Sequence, residues 1–273
     1  MTLLSCVAAL YFMVSGGPYG LEELPKRVGF AVGILVLLVT PLVWSVPTAL
    51  MVGELAAALP DEGGYYAWVR RALGPFWGFQ EAWLSFAASI FDMGIYPTLF
   101  GLYLGRLWPS AGASPLTLAW VVVVAGAAFN VAGARTVGQG SIAMTLWLVS
   151  PFAVLAAIAI GAPARASPSP SPLSRDLAGG VLVAMWNYMG WDNISTIAAE
   201  VDRPQRTYPL AVFSAVALIA VSYIVPMAAM RAGGVDPSGW DTGAWVDAAR
   251  AYGGTPLAVA VVSGGMVSAF GMY

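Results

Sequence analysis

The chain has 273 residues, 59% apolar and only 10% charged, with a net charge of −2 and a mean hydropathy of +0.77. A soluble domain of this length carries far more charge, so an aqueous globule is excluded, and no basic patch or stripe is present to hold nucleic acid. The absence of histidine excludes His-assisted nucleophilic triads, His-ligated metals and histidine proton relays, and the single cysteine, Cys6, excludes an internal disulfide.

Apolar runs of about 20 residues predict eight membrane spans, at 2–24, 30–59, 75–107, 115–134, 140–162, 177–200, 208–230 and 255–273. Such a chain is all-α and polytopic, because backbone amides in hydrocarbon must bond internally. The first span is interrupted by "VSGGPYGLEE" at 14–23, a Gly-Gly-Pro break followed by Glu22 and Glu23. A signal peptide over residues 1–17 is disfavoured because its start lacks Lys or Arg. The stretch "PDEGGYYAWVRRALG" at 60–74 reads as an interfacial segment between spans two and three.

In the third span Glu81, Ser85, Ser89, Asp92 and Tyr96 are spaced by four, four, three and four, so they share one helical face. An acid at a helix centre costs about 2.5–3.5 kcal/mol on insertion scales. That face is therefore expected to point into the bundle or a wet cavity, with Asp92 a ligand or proton site. "GLYLG" at 101–105 is expected to allow a close helix contact. "GQGSIA" at 138–143 has the form of a dinucleotide-binding turn but follows no strand, so packing is its expected role.

"PARASPSPSPLS" at 163–174 is a Pro/Ser connector. The sixth span repeats the peculiarity of the first, since "MWNYMGWDNISTIAAE" at 185–200 places Gly190 and Asp192 in mid-membrane. Residues 231–254 form the longest loop, with Asp236, Asp241, Asp247, Trp240 and Trp245, and are expected to carry a short surface helix. The Arg and Lys distribution over the loops does not fix an orientation. Interrupted spans five apart point to an inverted-repeat 5+5 transporter with its site at the midplane. Residues 1–162 then form the first repeat, 163–176 a linker, and 177–273 a partial second repeat.

Together with "WSVPTALMVGELAAALPDEGGYYAWVRRALGPFWGFQEAWLSF" at 44–86 and "WNYMGWDNISTIAAEVDRPQRTYPLA" at 186–211, the first break resembles the amino acid/polyamine/organocation transporter superfamily. The likeness is nearest to its plant-type polyamine uptake transporters and extends across nearly the whole chain. It implies a proton-coupled importer of polyamines in the cell membrane, with a cytoplasmic N-terminus and twelve helices in the complete form. The chain ends in its eighth span, so a truncated second repeat is expected.

A polyamine is a flexible polycation, and it needs spaced acceptors. On the implied reading Glu22, Asp92 and Asp192 partner ammonium groups, and Tyr96, Asn187 and Tyr188 accept hydrogen bonds. Trp186 and Trp191 flank methylenes or make cation–π contacts, while carbonyls around Ser15, Gly16 and Gly17 add neutral acceptors. Asp92, Asp192 and Glu200 are the candidate proton carriers. No metal or cofactor is called for; the partners are a small cation, protons and the lipid bilayer, with the oligomeric state left open. In amino acid carriers the same break supplies amides to a substrate carboxylate, so an amino acid permease remains an alternative, as does a non-transporting fragment. A membrane enzyme is disfavoured by the missing histidines, the single cysteine and the lack of a phosphate-cradling loop.

Overall fold

The computed structural model describes residues 1–59, 63–107, 114–163, 176–195 and 201–273, and every regular element among them is helical. Helix α1 (Leu3–Val14) starts at Thr2, whose hydroxyl accepts the Ser5 N–H at 3.4 Å. It stops at Ser15, which is extended, because Gly17 at φ +76° and Pro18 cannot continue the turn. A 3₁₀ turn, Gly17–Leu21, completes the first span.

Helix α2 (Glu23–Thr40) begins earlier than the predicted second span and bends at Gly29, φ +77°. It passes through a π-turn, Pro41–Ser45, into α3 (Val46–Ala58). Pro41 and Pro47 cannot donate backbone bonds, and the chain accommodates them by a local widening of the helix. Helix α4 (Gly64–Leu73) buries only Gly64 and Trp68, the pattern of an interfacial helix, and the Trp68 indole donates to the Leu59 carbonyl at 3.1 Å.

The long α5 (Pro75–Leu107) is followed by α6 (Pro115–Val131), α7 (Ala134–Gly161), α8 (Leu177–Trp186), α9 (Pro204–Ala232) and α10 (Ala244–Met272). Among the described residues five stretches are long and apolar enough to cross a membrane: Leu3–Leu21, Glu23–Ala58, Arg135–Gly161, Gln205–Ala232 and Ala244–Met272. Helix α5 has 33 residues but carries Glu81, Asp92 and Arg106, and α6 and α8 are shorter apolar helices. The core forms where α1 packs on α7 and α9 and where α10 packs on α5 and α7. Outside it, Phe91 and Val131 are 80% and 87% exposed; such a surface calls for hydrocarbon, and the protein is a multi-pass membrane protein.

Two expectations change. Residues 231–254 do carry a short helix, since α9 runs on to Ala232 and α10 starts at Ala244 and kinks at Gly254, φ +69°, but that helix packs into the core and not on the surface. Trp240 and Trp245 are buried there because they stack edge to face at 4.6 Å. The Gly101 and Gly105 pair makes no close helix contact: a methyl on Gly101 would lie 4.0 Å from Leu118, and one on Gly105 would meet nothing among the described residues. Gly138 does pack closely, since a methyl there would lie 2.8 Å from the Ser5 side chain of α1. Most of the 163–174 connector lies outside the described residues.

Candidate functional site

A cavity of about 510 Å³ lies where α1 ends, where α8 breaks off, and along the polar face of α5. Of the residues singled out from sequence, Gly16, Asp92, Tyr96, Trp186, Asn187 and Asp192 line it, with Ser85 and Ser89 from the α5 stripe. Ser15, Gly17, Glu22, Tyr188 and Trp191 do not. Glu200 lies outside the described residues.

At the first break several of the loosened polar groups are bonded to protein. The Gly17 N–H donates to Ser15 Oγ at 2.9 Å. The Gly16 carbonyl accepts from the Ser268 hydroxyl at 2.5 Å, and the Pro18 carbonyl accepts from the Trp245 indole at 2.8 Å. The Gly20 carbonyl accepts from Asn187 Nδ2 at 3.0 Å. Tyr223 of α9, fully buried, places its hydroxyl 2.6 Å from Ser15 Oγ and 2.8 Å from the Asn187 carbonyl. A carbonyl only accepts and a phenol has one proton, so Tyr223 donates to Asn187 and receives the Ser15 hydroxyl proton. One side chain thereby joins the ends of α1 and α8.

The sixth break is different. After Trp186 the chain leaves the helix, and Gly190 adopts φ +98°. A methyl there would stand 2.2 Å from the Met13 carbonyl, so only glycine lets the two broken segments meet. Tyr188 and Trp191 turn into the core: the Tyr188 hydroxyl donates to the Leu37 carbonyl at 3.1 Å, and the Trp191 indole to the Tyr188 carbonyl at 2.8 Å. Their polar atoms hold the break in shape. Asp192 and Asn193 stay exposed to the cavity.

On α5, Asp92 accepts the Tyr96 hydroxyl at 2.8 Å and Glu81 accepts the Ser85 hydroxyl at 2.7 Å, each pair one helical turn apart. Tyr65 of α4 closes part of the wall. Above the first break, Tyr19 stacks on Tyr103 and Phe152, both at 5.1 Å, and Phe152 on Trp245 at 5.3 Å, forming an aromatic seal. Glu22 sits within that seal, 2% exposed. At the same end the Gly179 N–H, and then Arg27 at 2.6 Å, hold the Asp176 carboxyl below its ordinary value. Among the described residues no three acids or cysteines converge to hold a metal.

Sequence reasoning missed Tyr65, Ser268 and Tyr223. For Tyr223 a signal existed: Ser222 and Tyr223 are a polar pair in the otherwise apolar run "AVALIAVSYIVPMAA", and such a pair in hydrocarbon needs internal partners.

Two interrupted helices meeting beside a polar cavity in an apolar bundle define a membrane protein of the broken-helix carrier class. The chain belongs to the amino acid permease family, which it matches over residues 7–273. It is 34% identical to a probable polyamine transporter of Arabidopsis thaliana, covering 100% of this chain and 56% of that relative. It is 35% identical to the polyamine transporter PUT1 of Oryza sativa subsp. japonica, covering 100% and 52%, and 32% identical to the polyamine transporter RMV1 of Arabidopsis thaliana, covering 100% and 57%. The chain thus spans about half the length of these relatives. Membership of a permease family argues for a transporter and against an enzyme.

Proposed function

We propose that this chain carries the substrate-binding part of a proton-coupled carrier that imports polyamines across the cell membrane. The observation that carries the reading is the charge of the cavity: Asp92 and Asp192 line it, and among the described residues no Lys or Arg does. Helices α1 and α8 both end at the breaks, so the negative ends of two helix dipoles add to the field of the carboxylates. Trp186 and Tyr96 supply aromatic walls for methylenes and ammonium groups. The names of the relatives agree with a polyamine substrate. Asp92 and Asp192, open to the cavity, are the proposed ammonium partners and can also exchange protons there. We place the end carrying Met1 and α4 in the cytoplasm and treat 1–162 and 177–273 as the two repeats.

The family's description favours an amino acid substrate instead. A substrate carboxylate would need free amides at the first break, and the Gly17 N–H is already held by Ser15. The test is uptake of labelled spermidine and of labelled leucine by proteoliposomes containing the full-length protein, with and without an inward proton gradient. Gradient-driven spermidine uptake is expected. Leucine uptake alone would overturn the polyamine assignment, and uptake of neither would overturn the carrier reading.

A further inference from the structure

Among the described residues Glu22 is the only Asp, Glu, Lys or Arg that is buried, and it lies outside the cavity. Its carboxyl faces the backbone N–H groups of Gly243 and Trp245 at the start of α10, the Trp245 N–H lying 3.3 Å from Oε1, while its Oε2 is shut off from solvent without a hydrogen bond of its own. The hydroxyl of Tyr103, a residue 2% exposed, is likewise buried without a partner and electrostatically coupled to Glu22.

The charged and titratable groups facing Glu22 are Arg106 and Tyr103 of α5, Asp247 of α10 and Tyr19 of the 3₁₀ turn. Arg106 is engaged elsewhere: it donates to the Thr242 carbonyl at 2.8 Å and the Gly243 carbonyl at 3.4 Å, and lies 3.7 Å from Asp247. Tyr19 donates to the Val261 carbonyl at 2.5 Å. Glu23, next in the chain, pairs with Arg27 at the surface. Glu22 therefore has no ion-pair partner among the described residues. An unpaired buried carboxylate costs several kcal/mol, and such a group is neutralised by taking a proton.

We propose that Glu22 is a proton-binding site separate from the substrate cavity, and that its carboxyl takes up one proton as the seal around Trp245 closes over it. An O–H bond forms at Oε2 with a proton from the water on that side, and nothing is oxidised or reduced. Opening the seal withdraws Trp245, hydrates the carboxyl and returns the proton. Acid on that side thus favours closure over a loaded cavity. The inference rests on the carrier reading for its role in transport, while the site itself is testable without it.

Infrared spectroscopy of the purified full-length protein at neutral pH reads the site directly. A protonated carboxyl band is expected in the wild type and absent in Glu22→Gln, which keeps an acceptor for Trp245 but cannot titrate. A wild type without that band, or a band that survives the substitution, overturns the proposal. Should Glu22→Gln fail to fold, Tyr103→Phe takes its place: a shifted band assigns the carboxyl beside Tyr103, and an unmoved band overturns the assignment. In proteoliposomes, acidifying the seal side is expected to raise spermidine uptake at least about fivefold in the wild type, and Glu22→Gln should lose most of that response. An unchanged pH response in the variant overturns the linkage. Absence of spermidine uptake by the wild type would instead overturn the carrier reading, and the infrared result would still decide Glu22.

Discussion

The two breaks look alike in sequence and behave differently in the folded chain. At the first, the Ser15 hydroxyl, the Gly17 N–H and the Gly16, Pro18 and Gly20 carbonyls are bonded to α8, α9, α10 or one another. At the sixth, the core takes Tyr188 and Trp191, and Asp192 and Asn193 are left facing the cavity. Both breaks meet in one joint through Tyr223, and the sixth adds the acid Asp192 to the cavity wall. Freed backbone groups in a membrane need partners, and the protein supplies them at both breaks: from α8, α9 and α10 at the first, and at the sixth from Tyr223, Trp191 and neighbouring carbonyls, while the Asp192 side chain faces the cavity.

The largest effect that would sharpen this contrast comes from adding a single methyl at each break. Gly190 and Gly17 both have positive φ, +98° and +76°, so alanine is strained at either. Their neighbours differ: the Gly190 methyl would meet the Met13 carbonyl at 2.2 Å, and the Gly17 methyl the tip of Leu148 at 2.5 Å. A backbone carbonyl wedged between two helix ends cannot step aside, while a leucine methyl can rotate. Gly190→Ala is expected to cost about 3 kcal/mol or more and Gly17→Ala about 1–2 kcal/mol, measured by thermal unfolding in detergent. Equal losses would mean that the two breaks are built alike.

A second comparison concerns binding rather than stability. If recognition belongs to α5 and the sixth break, Asp92→Asn and Asp192→Asn should each raise the KM for spermidine by roughly 10- to 100-fold, the scale of a lost hydrogen bond to a charged group. Ser15→Ala, which removes a hydroxyl bonded to Tyr223 and the Gly17 N–H, should lower stability and leave KM within about twofold, well under the energy of one such bond. A large KM change in Ser15→Ala would return the first break to the binding site.

These contrasts also mark what the sequence could reveal. The polytopic helical class followed from hydropathy, because oil imposes one rule on every backbone amide, and the breaks followed from Gly-Gly-Pro and from Gly190 amid polar residues. The α5 stripe was legible because helical spacing alone puts Ser85, Ser89, Asp92 and Tyr96 on one face. The partners of each break were not, since Tyr223, Ser268 and Trp245 lie 208, 252 and 227 residues from the groups they bind. Nothing local in a chain tells whether a loosened carbonyl will meet a hydroxyl or a ligand. For the same reason Glu22 read as a substrate contact: adjacency to the break suggested the cavity, whereas the 3₁₀ turn carries it away into the seal.

The smallest expected effect tests whether the two broken helices are tied at their far end. Asp176 caps α8 by accepting the Gly179 N–H at 2.8 Å, and it accepts from Arg27, which follows the first break, at 2.6 Å. Both interactions favour the carboxylate, so the folded protein holds the Asp176 carboxyl below its unfolded value. The group therefore contributes stability that is fully present above the unfolded value, about 3.9 for Asp, and is lost as the pH falls through the lower folded one. Asparagine caps a helix about as well as aspartate, so Asp176→Asn removes the charge and leaves the cap. The wild type should unfold at a slightly higher temperature than Asp176→Asn near neutral pH, and the gap should close as the solution is acidified below about pH 4. A gap that persists unchanged into acid would show that Asp176 acts through its cap alone and that no charge links α8 to the segment after the first break.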